Sequence, residues 1–328
     1  MKHVPSAVLY GAALIVRVVN GSYGDMEPVF QRCVGGCMAE KADLPCVDQD
    51  SGWLRLLSRT CKERCEYRCM SSITAERVRR NLPVYKYYGH WSFHRYGGLE
   101  EPASVVFSLL NALPHFWHLF SFSRKSRSNY FMRPHLAFYP YVALMAWLSS
   151  AIFHAKKTRR STWIDYSAAL VFLAHGLWLT LRRVAGEEGR TTANIVGACF
   201  ALWLVRRLGD MQRDLISFDT HMHTCIAIAV CTITLWLLWL FLGGGGGGNV
   251  VGGKKVRQLP HPLNRFRCLA CQVAFAAASM LELFDFPPIW GILDAHSLWH
   301  LATVPLGFQW YEFWRQDELN YSYVVEMN

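Results

Sequence analysis

The sequence predicts an all-α integral membrane protein, with seven transmembrane helices preceded by a lumenal disulfide-rich domain. Three observations predict it. Seven apolar runs, at roughly 103–122, 134–155, 163–181, 192–205, 222–242, 268–286 and 292–313, approach the ~20 residues needed to cross a ~30 Å hydrocarbon core. The fourth run is the shortest. Many of the 13 tryptophans stand near run ends, as an interfacial aromatic belt requires. Ahead of the first run, six of the eleven cysteines crowd into one polar stretch.

The N-terminus opens with Lys2, an apolar stretch from Ala7 to Val19, and small residues at Gly21 and Ser22. That is the layout of a secretory signal peptide over 1–22. Arg17 interrupts the stretch, so an uncleaved anchor stays open. The sequon Asn20-Gly21-Ser22 lies too near the cleavage point to carry weight as a glycan site.

Residues 23–102 form the expected lumenal domain, with Cys33, Cys37, Cys46, Cys61, Cys65 and Cys69. An even number of cysteines behind a signal peptide implies a disulfide framework in an oxidising compartment. Cys61, Cys65 and Cys69 recur every four residues, and Cys33 and Cys37 share that spacing, which places each set along one helical face. Two short helices stapled together satisfy this pattern, and the fifteen possible pairings stay open. A zinc site is the rival, but the spacing and the lack of a nearby histidine fit it poorly. Cys199, Cys225, Cys231, Cys268 and Cys271 lie in or beside apolar runs and read as small buried hydrophobes.

Residues 103–314 make the seven-helix domain and 315–328 a polar cytosolic tail, with a disordered end. With the cysteine domain lumenal, the cytosolic connections 123–133, 182–191 and 243–267 hold twelve Lys and Arg, against seven on the opposite side. That bias supports the orientation, although the cluster Lys156, Lys157, Arg159 and Arg160 runs against it. The Gly-rich and basic stretch 243–258 reads as a flexible loop and not a phosphate-binding loop, because no strand precedes it and no Lys-Ser/Thr pair opens a helix. A net charge of +10 does not indicate nucleic acid, because the cations are scattered through loops where lipid headgroups explain them.

Five polar residues in apolar surroundings carry the chemistry: Ser150, His154, Asp165, His296 and His300. Polar groups in hydrocarbon are costly and usually line a cavity or pathway. The predicted topology puts the end of the second run and the starts of the third and seventh on one membrane face, so these residues converge at similar depth. Ser150 sits one turn from His154, and His296 one turn from His300. Three neutral imidazoles leave a fourth position open, the catalytic arrangement for zinc, which lowers the pKa of bound water to about 7. Asp165 is placed to orient that water or accept its proton, and Ser150 to donate a hydrogen bond. A serine nucleophile is the competing scheme, but it leaves two histidines unused. His115, His118 and His175 read as satisfied core residues, and Asp165 has the simpler reading of a helix cap.

The stretch Ser150-Ala-Ile-Phe-His154, the pair Asp165-Tyr166 and Asp294-Ala295-His296-Ser297-Leu298-Trp299-His300 resemble the post-GPI-attachment-to-proteins factor 3 family. So do Glu101-Pro102-Ala103-Ser104-Val105, the run Leu281-Glu282-Leu283-Phe284-Asp285-Phe286-Pro287-Pro288, and the cysteine pattern up to Cys69-Met70. The resemblance departs at Gly89-His90-Trp91-Ser92-Phe93, where the family reads Gly-Lys-Trp-Pro-Phe. It implies a seven-span hydrolase related to alkaline ceramidases and adiponectin-type receptors, with His154, His296 and His300 as ligands of zinc (Zn2+) and Ser150 and Asp165 as the catalytic pair. The implied activity is of the GPI-specific phospholipase A2 type, removing the sn-2 acyl chain from the anchor of GPI-anchored proteins. The implied location is the membrane of the ER or Golgi, with the C-terminus cytosolic and membrane lipids and GPI-anchored proteins as partners. A ceramidase-like amidase and a non-catalytic receptor or escort for GPI-anchored proteins are the alternatives.

Overall fold

The computed structural model describes residues 23–40, 57–122, 130–213, 217–241, 248–251, 254–257 and 261–326. The expected signal peptide and Cys46 lie outside them. The chain divides into two compact units, one of Met1–Glu100 with Phe286–Asp294 and the other of Glu101–Asp285 with Ala295–Asn328.

The first unit contains α1 (Tyr23–Met26), α2 (Pro28–Glu40) and α3 (Cys61–Arg79). Thr60 and Glu63 start α3 by reciprocal capping: Thr60 Oγ1 accepts from the Glu63 amide at 3.3 Å, and the Glu63 carboxylate accepts from the Thr60 amide at 2.7 Å. The four-residue spacing on both helices gives an antiparallel ladder, Cys33–Cys69 and Cys37–Cys65. Cys61 is disulfide-bonded as well. Loops of 36 and 28 residues are each worth about 3–4 kcal/mol in lost unfolded-state entropy. The small core of Phe30, Cys69 and Tyr87 would be marginal without them. Where the sequence departs from the family it resembles, a tight turn joins Tyr87 to His90, with φ of 49° at Tyr88 and 82° at Gly89. Glycine takes that left-handed geometry without strain, and Asp25 Oδ1 fixes the turn by accepting from the Tyr88 amide at 2.9 Å.

The second unit is a helical bundle. It comprises α4 (Pro102–Phe122), α5 (Arg133–Leu136), α6 (Tyr139–Ala155), α7 (Arg159–Ala185), α8 (Arg190–Gln212), α9 (Phe218–Phe241), α10 (Pro262–Phe284) and α11 (Ala295–Glu326). Each of the seven expected runs falls on a helix. Among the described residues, five segments are long and apolar enough to cross a membrane: Pro102–Phe120, Arg133–Ala155, Arg159–Ala185, Asp219–Phe241 and Pro262–Phe284. The other two fall short for a visible reason. Arg206, Arg207 and Asp210 dilute α8, and α11 gives positions to His296, Ser297, His300, Gln309 and Glu312.

The bundle turns large apolar side chains outward and buries polar ones among its hydrophobic core, which marks a multi-pass membrane protein. Along α4, Ser104, Ser108, Asn111 and His115 are buried, while Val106, Leu109, Leu113, Phe116, Trp117 and Phe120 face outward. A patch of that size left in water would drive aggregation. Helix contact in lipid depends on close approach of small residues, and Gly307 provides it: a Cβ there would lie 2.7 Å from Pro114 Cγ, so α11 presses directly on α4.

Several expectations change. The expected tail begins within α11, which continues to Glu326 and buries Asp317, while residues 327–328 lie outside the described residues. Arg183 near the end of α7 grips that carboxylate at 2.6 and 2.8 Å, and Tyr130 donates to it. Around this pair packs an aromatic core in which Trp236 is fully buried against Trp239, Trp310, Phe313 and Trp314. Part of the glycine-rich loop is an antiparallel hairpin, β1 (Gly248–Val251) with β2 (Lys254–Arg257), where valines and paired lysines follow the glycines. Cys199 and Cys231 are exposed on outward helix faces, so only Cys268 and Cys271 are buried as expected.

Candidate metal centre

His154 occupies the last turn of α6, and His296 and His300 the first two turns of α11. Helix spacing stacks the latter two. The three ring centroids lie 4.6 to 5.2 Å apart, with His300 edge to face against both other rings and His154 tilted against His296. One ligand atom from each lies within 4.8 Å of the others. His296 Nε2 stands 3.0 Å from His300 Nε2 and 3.3 Å from His154 Nε2. Zinc–nitrogen bonds of ~2.0–2.1 Å in tetrahedral array hold nitrogens ~3.3–3.4 Å apart, so this donor set fits the ion with small adjustments.

The opposite ring nitrogens supply a second observation. His154 Nδ1 donates to Glu101 Oε2 at 2.5 Å, and His296 Nδ1 donates to Glu282 Oε2 at 2.6 Å. A carboxylate on Nδ1 fixes the tautomer that leaves the Nε2 lone pair free for a metal and makes that nitrogen more basic. Glu101 is further held by Lys157, which donates to its other oxygen. His300 is fixed through its backbone instead. Its carbonyl accepts from Asn111 Nδ2 at 2.7 Å and from Thr303 Oγ1 at 2.8 Å.

Ser150 lies one turn before His154 and is buried, as is Ser108. Their hydroxyl oxygens are 3.1 Å apart. Ser108 already donates its one proton to the Ser104 carbonyl at 2.7 Å, so Ser150 is the donor of the pair. Its lone pairs are left to accept. This differs from the expected donor role and gives no support to a serine nucleophile, whose proton would need an imidazole acceptor. Asp165, in the second turn of α7, is half-buried and within electrostatic range of His296 and Glu101. It is not the cap of that helix: Thr158 is, by a reciprocal box with Ser161.

Glu101 and Glu282 went unselected in the sequence, although both fall inside the segments that carry the family resemblance. The available signal was an ionisable residue at each end of an apolar run. Of the histidines read as core, His115 bonds Tyr311 at 2.8 Å and His118 stacks on the same ring. His175 stacks on Tyr139 but leaves Nδ1 without a hydrogen-bond partner.

Comparison with known proteins bears on the whole chain. The model of the Per1-like family matches residues 52–318. A Mus musculus protein named "GPI-specific phospholipase A2-like PGAP3" is 28% identical over 318 residues, covering 96% of this chain and 95% of the relative. Its Homo sapiens namesake is 27% identical over 316 residues, covering 95% and 93%. The Drosophila melanogaster "Post-GPI attachment to proteins factor 3" is 29% identical over 318 residues, covering 94% and 92%. No solved structure matches.

Proposed function

Because the chain belongs to the Per1-like family, we propose that it is a metal-dependent membrane hydrolase that removes the sn-2 acyl chain from GPI anchors. The carrying observation is the convergence of three imidazole Nε2 atoms, two of them backed by carboxylates. The names of its relatives support the substrate class. His154, His296 and His300 would hold the metal, with zinc best suited to an all-imidazole set. Such an ion supplies a water acidic enough to act as nucleophile at neutral pH.

The chain's own residues divide the remaining work. Asp165 receives the proton of the attacking water. The lone pairs of Ser150 hold and orient that water through a hydrogen bond. Glu101 and Glu282 keep the imidazoles in place throughout, and the products are a free fatty acid and the lyso-lipid alcohol. With the cysteine unit lumenal and the C-terminus cytosolic, the site opens at the lumenal headgroup boundary of the ER or Golgi, where ester bonds of a lipid anchor lie.

The test is lipid mass spectrometry of GPI anchors from cells lacking this protein, after re-expression at matched abundance. Wild type removes the unsaturated sn-2 chain, whereas His296→Ala, Ser150→Ala and Asp165→Ala do not. Full remodelling by all three variants would leave a structural metal site and an escort role. Altered ceramide with untouched anchors would favour the amidase.

A further inference from the structure

Arg182, in the last turn of α7, is only 2% exposed and has no counter-charge beside it. Its Nε donates to His135 Nε2 at 3.4 Å, a long contact to an imidazole that is uncharged when it accepts there. Its Nη1 is buried without a hydrogen-bond partner, and among the described residues no carboxylate comes within ion-pair distance of it. The acids at this end of the bundle are engaged elsewhere. Asp317 is held by Arg183 and Tyr130, Glu318 pairs with Arg133 at 3.8 Å, and Glu187 accepts from the Tyr321 hydroxyl at 3.3 Å. Arg190 and Glu187 act on Arg182 only at longer range, with opposite signs.

Two ordinary explanations for such a cation fall short. Helix C-termini favour positive charge, and arginines near a membrane edge usually snorkel outward to water. Helical side chains, however, lean back toward the N-terminus, and the head of Arg182 does so. The His135 ring it contacts packs edge-on against Trp178, one turn before Arg182, so the charge is turned inward. Unpaired charge in those surroundings is costly and marks a functional position.

A second unsatisfied nitrogen lies on the same stripe. His175 stands two turns before Arg182, with Trp178 between them on one helix face. Its Nδ1 is buried without a partner, and its ring stacks on Tyr139 at the start of α6, with centroids 6.0 Å apart. This face of α7 therefore meets α5 and α6 with two open hydrogen-bonding positions, one of them cationic.

We infer that the junction of α5, α6 and α7 holds the headgroup phosphate of an anionic phospholipid, a site independent of the hydrolase reading. Guanidinium matches phosphate oxygens in pairs. Arg182 sits three residues before its span ends at Ala185, ~4.5 Å of helical rise, which is headgroup depth. A lipid ester carbonyl lies deeper in a bilayer than the phosphate, on the side where His175 Nδ1 waits. Phe138 and Tyr141, 66% and 61% exposed, flank Tyr139 and offer apolar surface to the acyl chains. In the expected orientation this end is cytosolic, where basic pockets between membrane helices take anionic lipid headgroups.

The experiment follows thermal unfolding of the full-length protein in an uncharged detergent, alone and with phosphatidylserine, phosphatidylcholine or inorganic phosphate. Phosphatidylserine should raise the midpoint of wild type, and the other two should not. Arg182→Gln keeps hydrogen-bond donors but loses the charge, so its phosphatidylserine affinity should fall at least about tenfold. Without lipid, the same variant should unfold at the same temperature as wild type or above it, because an unpaired buried charge has been removed. Arg206→Gln, which removes an exposed cation of α8, should behave as wild type throughout. Lower lipid-free stability of Arg182→Gln would mean that the guanidinium is already compensated. An equal response of Arg182→Gln and wild type to phosphatidylserine would put the lipid elsewhere, and equal stabilisation by inorganic phosphate would make the ligand a soluble anion. Each of these results overturns the inference, as does a wild type indifferent to phosphatidylserine.

Discussion

Replacing Glu101 with Gln isolates what its charge does for the centre. The glutamine keeps a carbonyl oxygen where Oε2 accepts from His154 Nδ1 at 2.5 Å, so imidazole orientation survives. What disappears is the negative charge that raises the basicity of His154 Nε2 and neutralises Lys157. Removing such a partner typically costs 10–100-fold in metal affinity or activity, about 1.4–2.8 kcal/mol. The Glu101 side chain is only 8% exposed, whereas that of Glu282 is 26% exposed. Screening by solvent weakens the second interaction, so the effect of Glu101→Gln should approach ~100-fold and that of Glu282→Gln ~10-fold. The assay is zinc affinity of the full-length protein by chelator competition, paired with anchor lipid analysis in complemented cells. Unchanged zinc affinity in Glu101→Gln, or a larger loss in Glu282→Gln, would refute the reasoning.

Three other perturbations follow from the packing. Gly307→Val drives a side chain against the rigid Pro114 ring, 2.7 Å from its Cγ, and displaces α11 two turns below His300. Zinc per protein should fall, with Gly307→Ala milder; full zinc content in the valine variant would contradict this. Arg183→Ala leaves the Asp317 carboxylate, 1% exposed, with the Tyr130 hydroxyl but no counter-charge and should cost about 3–5 kcal/mol. The double variant Arg183→Met/Asp317→Leu should unfold at a higher temperature in detergent than either single one. Cys33→Ser removes one rung of the cysteine ladder and about 3–4 kcal/mol from the first unit. Limited proteolysis should then cut the first unit while the bundle binds added zinc as the parent protein does.

Much of this arrangement was legible because membranes penalise polarity so steeply that position alone is informative. His296 and His300 at four-residue spacing in an apolar run point to a shared helix face, and the order of the apolar runs brings that face to the same end of the bundle as His154. The cysteine spacing implied two stapled helices but not their pairing, since antiparallel and parallel ladders satisfy the same spacing. Glu101 and Glu282 were harder to see. An acid at the end of an apolar run looks like a solvated headgroup contact, and only the fold reveals the imidazole beside it. The helical tail was hidden for a related reason: Asp317 and Glu318 look solvent-bound until Arg183 and Arg133 arrive from elsewhere in the chain.

The outward residues of α4, from Val106 to Phe120, change what concentration means for this protein. A surface made for hydrocarbon meets lipid by diffusion in two dimensions, so for the proposed lipid substrate encounter would depend on its mole fraction in the bilayer and not on its amount per volume. Adding inert lipid would then dilute the proposed reaction even when the total quantities of protein and substrate stay fixed.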